Sequence, residues 1–286
     1  MPVKHEPSSL LTTALRKFVA DDGTFLASGL AFGLLFYCIP FALLSVAALS
    51  YALVSSDAAL LWVRRYALTL VPRSQDQFDT IITAIIPNRG LFGIFGFLAF
   101  VFASSTTFGS VRLVLNRVFG IRESRGVIHG KLMEVVMMLA TSLMFFVMVA
   151  VVYSINLAHT FAANVEYLAF LHPGFVAVGY IVSVASSFVL FCFLYRYSSA
   201  HSMSLKALLV SSITSTTLFE ISKWAFGLYL RYAQGAKALY GALGTLVFFL
   251  LWLYYVSVIF IFAAEIGCVL DQRERSRDWE RKEELP

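Results

Sequence analysis

Residues Tyr240–Leu270 read YGALGTLVFFLLWLYYVSVIFIFAAEIGCVL, an apolar run with one carboxylate, Glu265, and no proline. A bilayer core about 30 Å thick is crossed by roughly 20 helical residues, and a segment in lipid must satisfy its backbone polar groups internally. The run is therefore expected to form a tilted transmembrane helix. Trp252, Tyr254 and Tyr255 stand in its middle, away from both interfaces, and are expected to pack on neighbouring helices. Glu265 falls about 14 Å past the midpoint at 1.5 Å per residue, near the membrane surface. The following segment, DQRERSRDWERKEELP, is too charged to continue into lipid.

Composition extends this reading to the whole chain: 59% of the 286 residues are hydrophobic, 14% are charged, and mean hydropathy is +0.79. A water-soluble domain carries about 25% charged residues, so the chain is expected to be one membrane domain with short loops and no separate catalytic domain. The net charge of +5 fits basic cytoplasmic loops better than nucleic-acid binding. Cys38, Cys192 and Cys268 lie in separate apolar stretches without CxxC spacing, and read as small buried hydrophobes rather than a metal site or disulfide framework.

Six spans are expected, at about 25–54, 91–111, 132–159, 174–195, 207–230 and 241–270, making an all-α polytopic integral membrane protein. Residues 1–24 form an N-terminal amphipathic segment, in which Leu11, Ala14, Leu15 and Phe18 share a helical stripe beside Arg16 and Lys17, an interfacial pattern. In the first span Pro40 removes its own hydrogen bond to the Phe36 carbonyl and is expected to kink the helix, while Gly29 and Gly33 form a GxxxG pair suited to close helix contact, within the chain or, as the alternative, at a dimer seam. Segment 57–89 mixes short apolar clusters with charges and prolines and reads as short interfacial helices on the outer surface, with a re-entrant hairpin as the alternative. The second span ends in Ser104, Ser105, Thr106 and Thr107, whose hydroxyls can bond neighbouring helices. Residues 112–131 form the most basic internal loop, suited to anionic lipid headgroups. Residues 271–286 form a charged tail.

Lys and Arg are distributed unevenly: three fall in 1–24, five in 112–131, two in 196–206 and five in 271–286, against four in 55–90, none in 160–173 and two in 231–240. The positive-inside rule then places both termini in the cytoplasm of a cell bounded by this plasma membrane.

No HExxH, phosphate loop or clustered histidine set occurs, so no catalytic residue, metal or cofactor is expected, and the chain reads as a non-enzyme. The polar groups that need an account are in the fifth span. Ser212, Thr216, Glu220 and Lys223 fall at about 0°, 40°, 80° and 20° around a 3.6-residue helix. Gly227 extends the stripe, and Glu220 lies roughly 2 Å from the span midpoint. A charge there costs at least about 2.5 to 3.5 kcal/mol if it faces lipid, so Glu220 is expected to face protein or a wet cavity. Lys223 is placed to pair with it at i, i+3 or to snorkel outward. A second candidate cluster, Arg112, Asn116, Glu134 and Glu265, stands near the cytoplasmic helix ends.

The segments LAFGLLFYCIP (Leu30–Pro40), FASSTTFGSVRLVLNRVFG (Phe102–Gly120), LFEISKWAFGLYL (Leu218–Leu230) and YGALGTLVFFLLWLYY (Tyr240–Tyr255), followed by Ala263, Ala264 and Glu265, resemble the YihY/BrkB family of bacterial inner-membrane proteins, once labelled ribonuclease BN. The resemblance covers nearly the whole chain. It implies a six-helix membrane fold and, for some relatives, an association with virulence. The ribonuclease label finds no ligand set here that could support metal-dependent cleavage.

Two functions compete. One is a transporter or lipid-handling protein for an amphiphilic or ionic substrate, with membrane lipids as partners. The other is a non-transporting envelope scaffold or assembly factor whose buried polar groups fix helix packing. A wet cavity reaching Glu220 would favour the first, and a dry core with a closed Glu220–Lys223 pair the second. Composition and motifs leave the oligomeric state open.

Overall fold

The computed structural model describes residues 9–53, 89–121, 130, 132–144, 146–147, 172–198, 203–232 and 237–283. Seven helices and no strand occur among these residues: α1 (Leu10–Ala20), α2 (Gly23–Leu53), α3 (Arg89–Val118), α4 (Leu132–Met144), α5 (His172–Ser198), α6 (Leu205–Tyr232) and α7 (Lys237–Glu283). Within α2, α3, α5 and α7, the segments Gly23–Ser45, Gly93–Val118, Ala177–Ser198 and Leu246–Arg277 are long and apolar enough to cross a membrane. At 28 residues α6 is also long enough, but its hydroxyls, Glu220 and Lys223 lower its apolar character. Segment 57–88, the expected third span beyond 147, and the loop residues 122–129 lie outside the described residues.

Two expected boundaries move. The second span does not give way to a loop at Arg112, because α3 continues to Val118. Residues 112–118, RLVLNRV, contain no glycine or proline, and leucine and arginine are good helix formers. The stop comes at Gly120, whose φ of +66° is the left-handed conformation glycine adopts without penalty. There Gly120 N–H donates to the Arg117 carbonyl and Ile121 N–H to the Asn116 carbonyl, the two bonds of a Schellman cap. The charged segment after Leu270 is likewise no separate tail, since α7 runs on to Glu283. Its 47 residues span about 70 Å at 1.5 Å each, twice the bilayer core, so the helix extends beyond the apolar run rather than ending with it.

The chain divides into two compact units, Met1–Phe32 with Phe108–Pro286, and Gly33–Thr107. In the smaller unit, Tyr37, Phe41 and Phe100 have ring centroids 5.4 to 5.7 Å apart. The Thr107 hydroxyl is 2.8 Å from both the Ala103 and the Gly33 carbonyls. Within the hydroxyl run Thr107 reaches a second helix, while Ser104 and Thr106 bond back to carbonyls one turn earlier, at Phe100 and Phe102. Only half of the GxxxG pair acts as expected. Gly33 packs against Thr107, whereas a side chain at Gly29 would meet nothing within 4 Å. Pro40 is buried inside α2, which continues through it as one helix.

In the larger unit α7 packs on α6 and α1, and α6 packs on α5. Gly267 permits the α6–α7 approach, because an added Cβ would collide with the Ser211 hydroxyl and crowd Met203. The expected α1 stripe splits in two. Ala14 and Phe18 are buried, Ala14 with Ile266 and Val269, and Phe18 edge-on to Phe262, while Leu11 and Leu15 face outward. A 3.6-residue period spreads these four positions wide enough for one neighbour to bury only part of them.

Candidate functional site

Helices α5 and α6 bring the mid-span charges together. Lys223 Nζ lies 2.6 Å from Glu220 Oε1, donates to Ser183 Oγ at 3.2 Å, and sits 5.1 Å from the centre of the Phe219 ring. The Ser187 hydroxyl lies 3.4 Å from the same Glu220 oxygen and 3.0 Å from the Ser183 carbonyl of its own helix, two acceptors for one proton. Lys223 therefore turns inward to its partners rather than snorkelling. The carboxylate faces protein, with the Glu220 side chain 14% exposed and the Lys223 side chain 31% exposed. Both charges stay reachable.

The remaining stripe residues behave differently. Ser212 and Thr216 are buried, but each hydroxyl bonds back to a carbonyl four residues earlier, Leu208 and Ser212, at 2.8 Å. This arrangement satisfies a hydroxyl inside an apolar helix without a partner helix. Gly227 is exposed, with open space at its Cα. Ser183 and Ser187 joined the cluster without being singled out in the sequence; their i, i+4 spacing in an apolar run was the available signal.

Beside the charges an open groove of about 430 Å³ runs between the two helices, lined by Tyr180, Val184, Ala185 and Phe188 of α5 and by Ile213 and Thr216 of α6. Its size falls within the roughly 300–1,000 Å³ of ligand sites. The walls are apolar and Glu220 is not among the lining residues, so this is no wet cavity reaching the carboxylate. Thr216 belongs to both features, and Ser183 and Ser187 directly adjoin the lining residues Val184 and Phe188 in the chain.

Next to this seam, Tyr195 ties three helices. Its fully buried hydroxyl donates to the Phe260 carbonyl of α7 at 2.8 Å and is bonded by Ser215 of α6, and its ring stacks on Phe260 at 4.8 Å. Trp252, as expected, packs on the neighbouring helix, against Phe219 and Phe226, while Tyr255 is exposed.

The second expected cluster separates into two sites. Arg112 pairs with the buried Glu134 at 3.2 Å, and Gly109 leaves room for that carboxylate. Asn116 contributes its backbone carbonyl to the α3 cap. Glu265 has other partners: it is fully buried, and its Oε2 lies 2.6 Å from Lys17 Nζ. The same ammonium reaches Asp21 Oδ2 at 2.7 Å and the Val118 carbonyl at 2.5 Å. Cys268 also donates to that carbonyl, at 3.3 Å. Val118 ends α3, so a cation there satisfies an orphan carbonyl at the negative end of the helix. Burial alone would lower the Lys17 pKa, but its hydrogen bond to Asp21 and the nearby Glu265 charge outweigh burial and hold it above the ordinary 10.5.

Beyond Leu270, α7 is pinned by Asp271, which accepts from Ser204 N–H at 2.8 Å and from Arg275 at 2.9 Å. Arg273 also donates to Thr13 of α1 at 3.4 Å. No group of three or more metal-ligating side chains occurs among the described residues.

The comparisons agree with one another. UPF0761 membrane proteins of Xanthomonas campestris pv. campestris (strain B100), Xanthomonas axonopodis pv. citri (strain 306) and Xanthomonas oryzae pv. oryzae (strain PXO99A) are each 27% identical over 259 residues, which cover 85% of this chain and 57% of the relative. The chain thus spans little more than half the length of these curated relatives. No solved structure matches it. A family model described as Virulence factor BrkB matches residues 14–286, all but the first few residues of the chain. Its long apolar helices and this match make the chain a membrane protein that belongs to the Virulence factor BrkB (YihY/BrkB) family.

Proposed function

We propose that the protein handles lipid or another amphiphilic substrate in the bacterial plasma membrane, using the α5–α6 face. The observation that carries this reading is the adjacency of an apolar groove to an accessible pair of opposite charges within helices of membrane length. An amphiphile needs both environments. A charged group kept near mid-span despite its cost reads as functional by default. The orientation belonging to this reading has six spans, both termini in the cytoplasm, and the basic residues near 112–131 facing anionic headgroups.

The test is lipid movement in proteoliposomes containing the purified full chain. Glu220→Gln keeps the shape of the side chain and removes its charge, and it should abolish movement while the protein stays folded. Normal movement in a stable Glu220→Gln protein would sink the role assigned to Glu220.

Two observations support the scaffold reading instead: the groove does not reach the carboxylate, and the Glu220–Lys223 pair is closed at 2.6 Å. In that case Glu220→Gln would destabilise by leaving Lys223 without its counter-ion, replacing both residues with apolar ones would largely restore stability, and the wild type would move no lipid.

A further inference from the structure

The chemistry of the seam narrows the substrate class, an argument that rests on the lipid-handling reading. The pair Glu220–Lys223 has no net charge, and each member has a serine beside it: the Ser187 hydroxyl, which also bonds the Ser183 carbonyl, is within 3.4 Å of Glu220, and Ser183 accepts from Lys223. A ligand of single charge would have to draw one member away and leave the other uncompensated in a partly buried setting, which is unfavourable. A ligand carrying both signs offers each member a replacement partner. A neutral ligand offers neither.

Position supplies the second half of the argument. Thr216 lines the groove, and Glu220 lies one turn further along α6, about 6 Å at 1.5 Å per residue. On α5, Ser183 and Ser187 adjoin Val184 and Phe188 of the groove wall. A polar head at the charge pair and a hydrocarbon chain in the groove can therefore belong to one molecule. Tyr180, Ile181 and Ile213 along the groove are each more than half exposed, so a chain can enter sideways.

We infer that the seam binds the headgroup of a zwitterionic phospholipid, its phosphate at Lys223 and Ser183 and its ammonium at Glu220 and Ser187, with one acyl chain in the α5–α6 groove.

The test incubates the full-length protein in mixed vesicles with equal amounts of phosphatidylethanolamine and phosphatidylglycerol and identifies the lipid that remains bound after extraction. Phosphatidylethanolamine should be retained about tenfold or more over phosphatidylglycerol, because one hydrogen bond to a charged group is worth at least that factor. Glu220→Gln gives the seam a net positive charge and should shift retention toward phosphatidylglycerol. Should that variant fail to fold, Ser187→Ala decides the matter: it keeps both charges and should lower phosphatidylethanolamine retention. Equal retention of the two lipids, or preference for phosphatidylglycerol by the wild type, overturns the inference. If lipid movement persists in that case, the lipid-handling reading survives; if nothing is retained and nothing moves, both fall.

Discussion

Lys17 joins α1, the end of α3 and α7 through three acceptors, one of which, Glu265, is fully buried. Removing one partner of such a pair leaves an uncompensated buried charge, so Lys17→Met should cost about 3–5 kcal/mol, whereas Lys17→Met with Glu265→Leu should recover most of it. Thermal unfolding in detergent measures both; a double variant no more stable than the single would refute the coupling. The pH dependence follows from the raised Lys17 pKa. A lysine whose folded pKa exceeds its unfolded one stabilises fully below the unfolded value, and the gain is lost as pH rises through the folded value. The contribution of Lys17 to the melting temperature should therefore be lost on the alkaline side only as pH rises above about 10.5. Tyr195→Phe keeps the stacked ring but removes the hydroxyl's bonds to the Phe260 carbonyl and the Ser215 hydroxyl, at a cost of about 0.5–1.5 kcal/mol in the same measurement; an unchanged melting temperature would refute this. Of these groups, Glu220 was legible in the sequence because a lone mid-span carboxylate is costly. The Lys17–Glu265 pair was not, since partners 248 residues apart leave no periodic trace.

Apolar runs marked where α2, α5 and α6 lie, while the ends of α3 and α7 were misplaced for one shared reason. Charge limits the lipid-compatible part of a helix, not the helix itself. Arginine, glutamate and glutamine continue a helix readily, and the real stop of α3, Gly120 in its left-handed conformation, is conformational. Likewise α7 remains helical past Leu270, where Asp271 and Arg273 bond α6 and α1. Packing between α6 and α7 depends on Gly267, where a side chain would meet Ser211, Met203 and the Ala207 carbonyl. Gly267→Val should therefore destabilise by about 1–3 kcal/mol through overpacking. Gly227→Ala, in open space on the same α6, should be tolerated. Equal melting temperatures for the two variants would contradict the close approach at Gly267.

Membrane character and family membership were both readable in the chain, through hydropathy and through segments such as Leu218–Leu230. The α5–α6 groove was not, because its two walls come from separate helices. The proposed orientation predicts that reporter fusions at each terminus report the cytoplasm; an external C-terminus would reverse it. The lipid-handling reading stands or falls on wild-type activity itself. Fluorescent phospholipid in proteoliposomes, with the outer leaflet bleached by an impermeant reductant, measures movement between leaflets. The account predicts loss of inner-leaflet signal well ahead of protein-free vesicles, and loss indistinguishable from protein-free vesicles would contradict it.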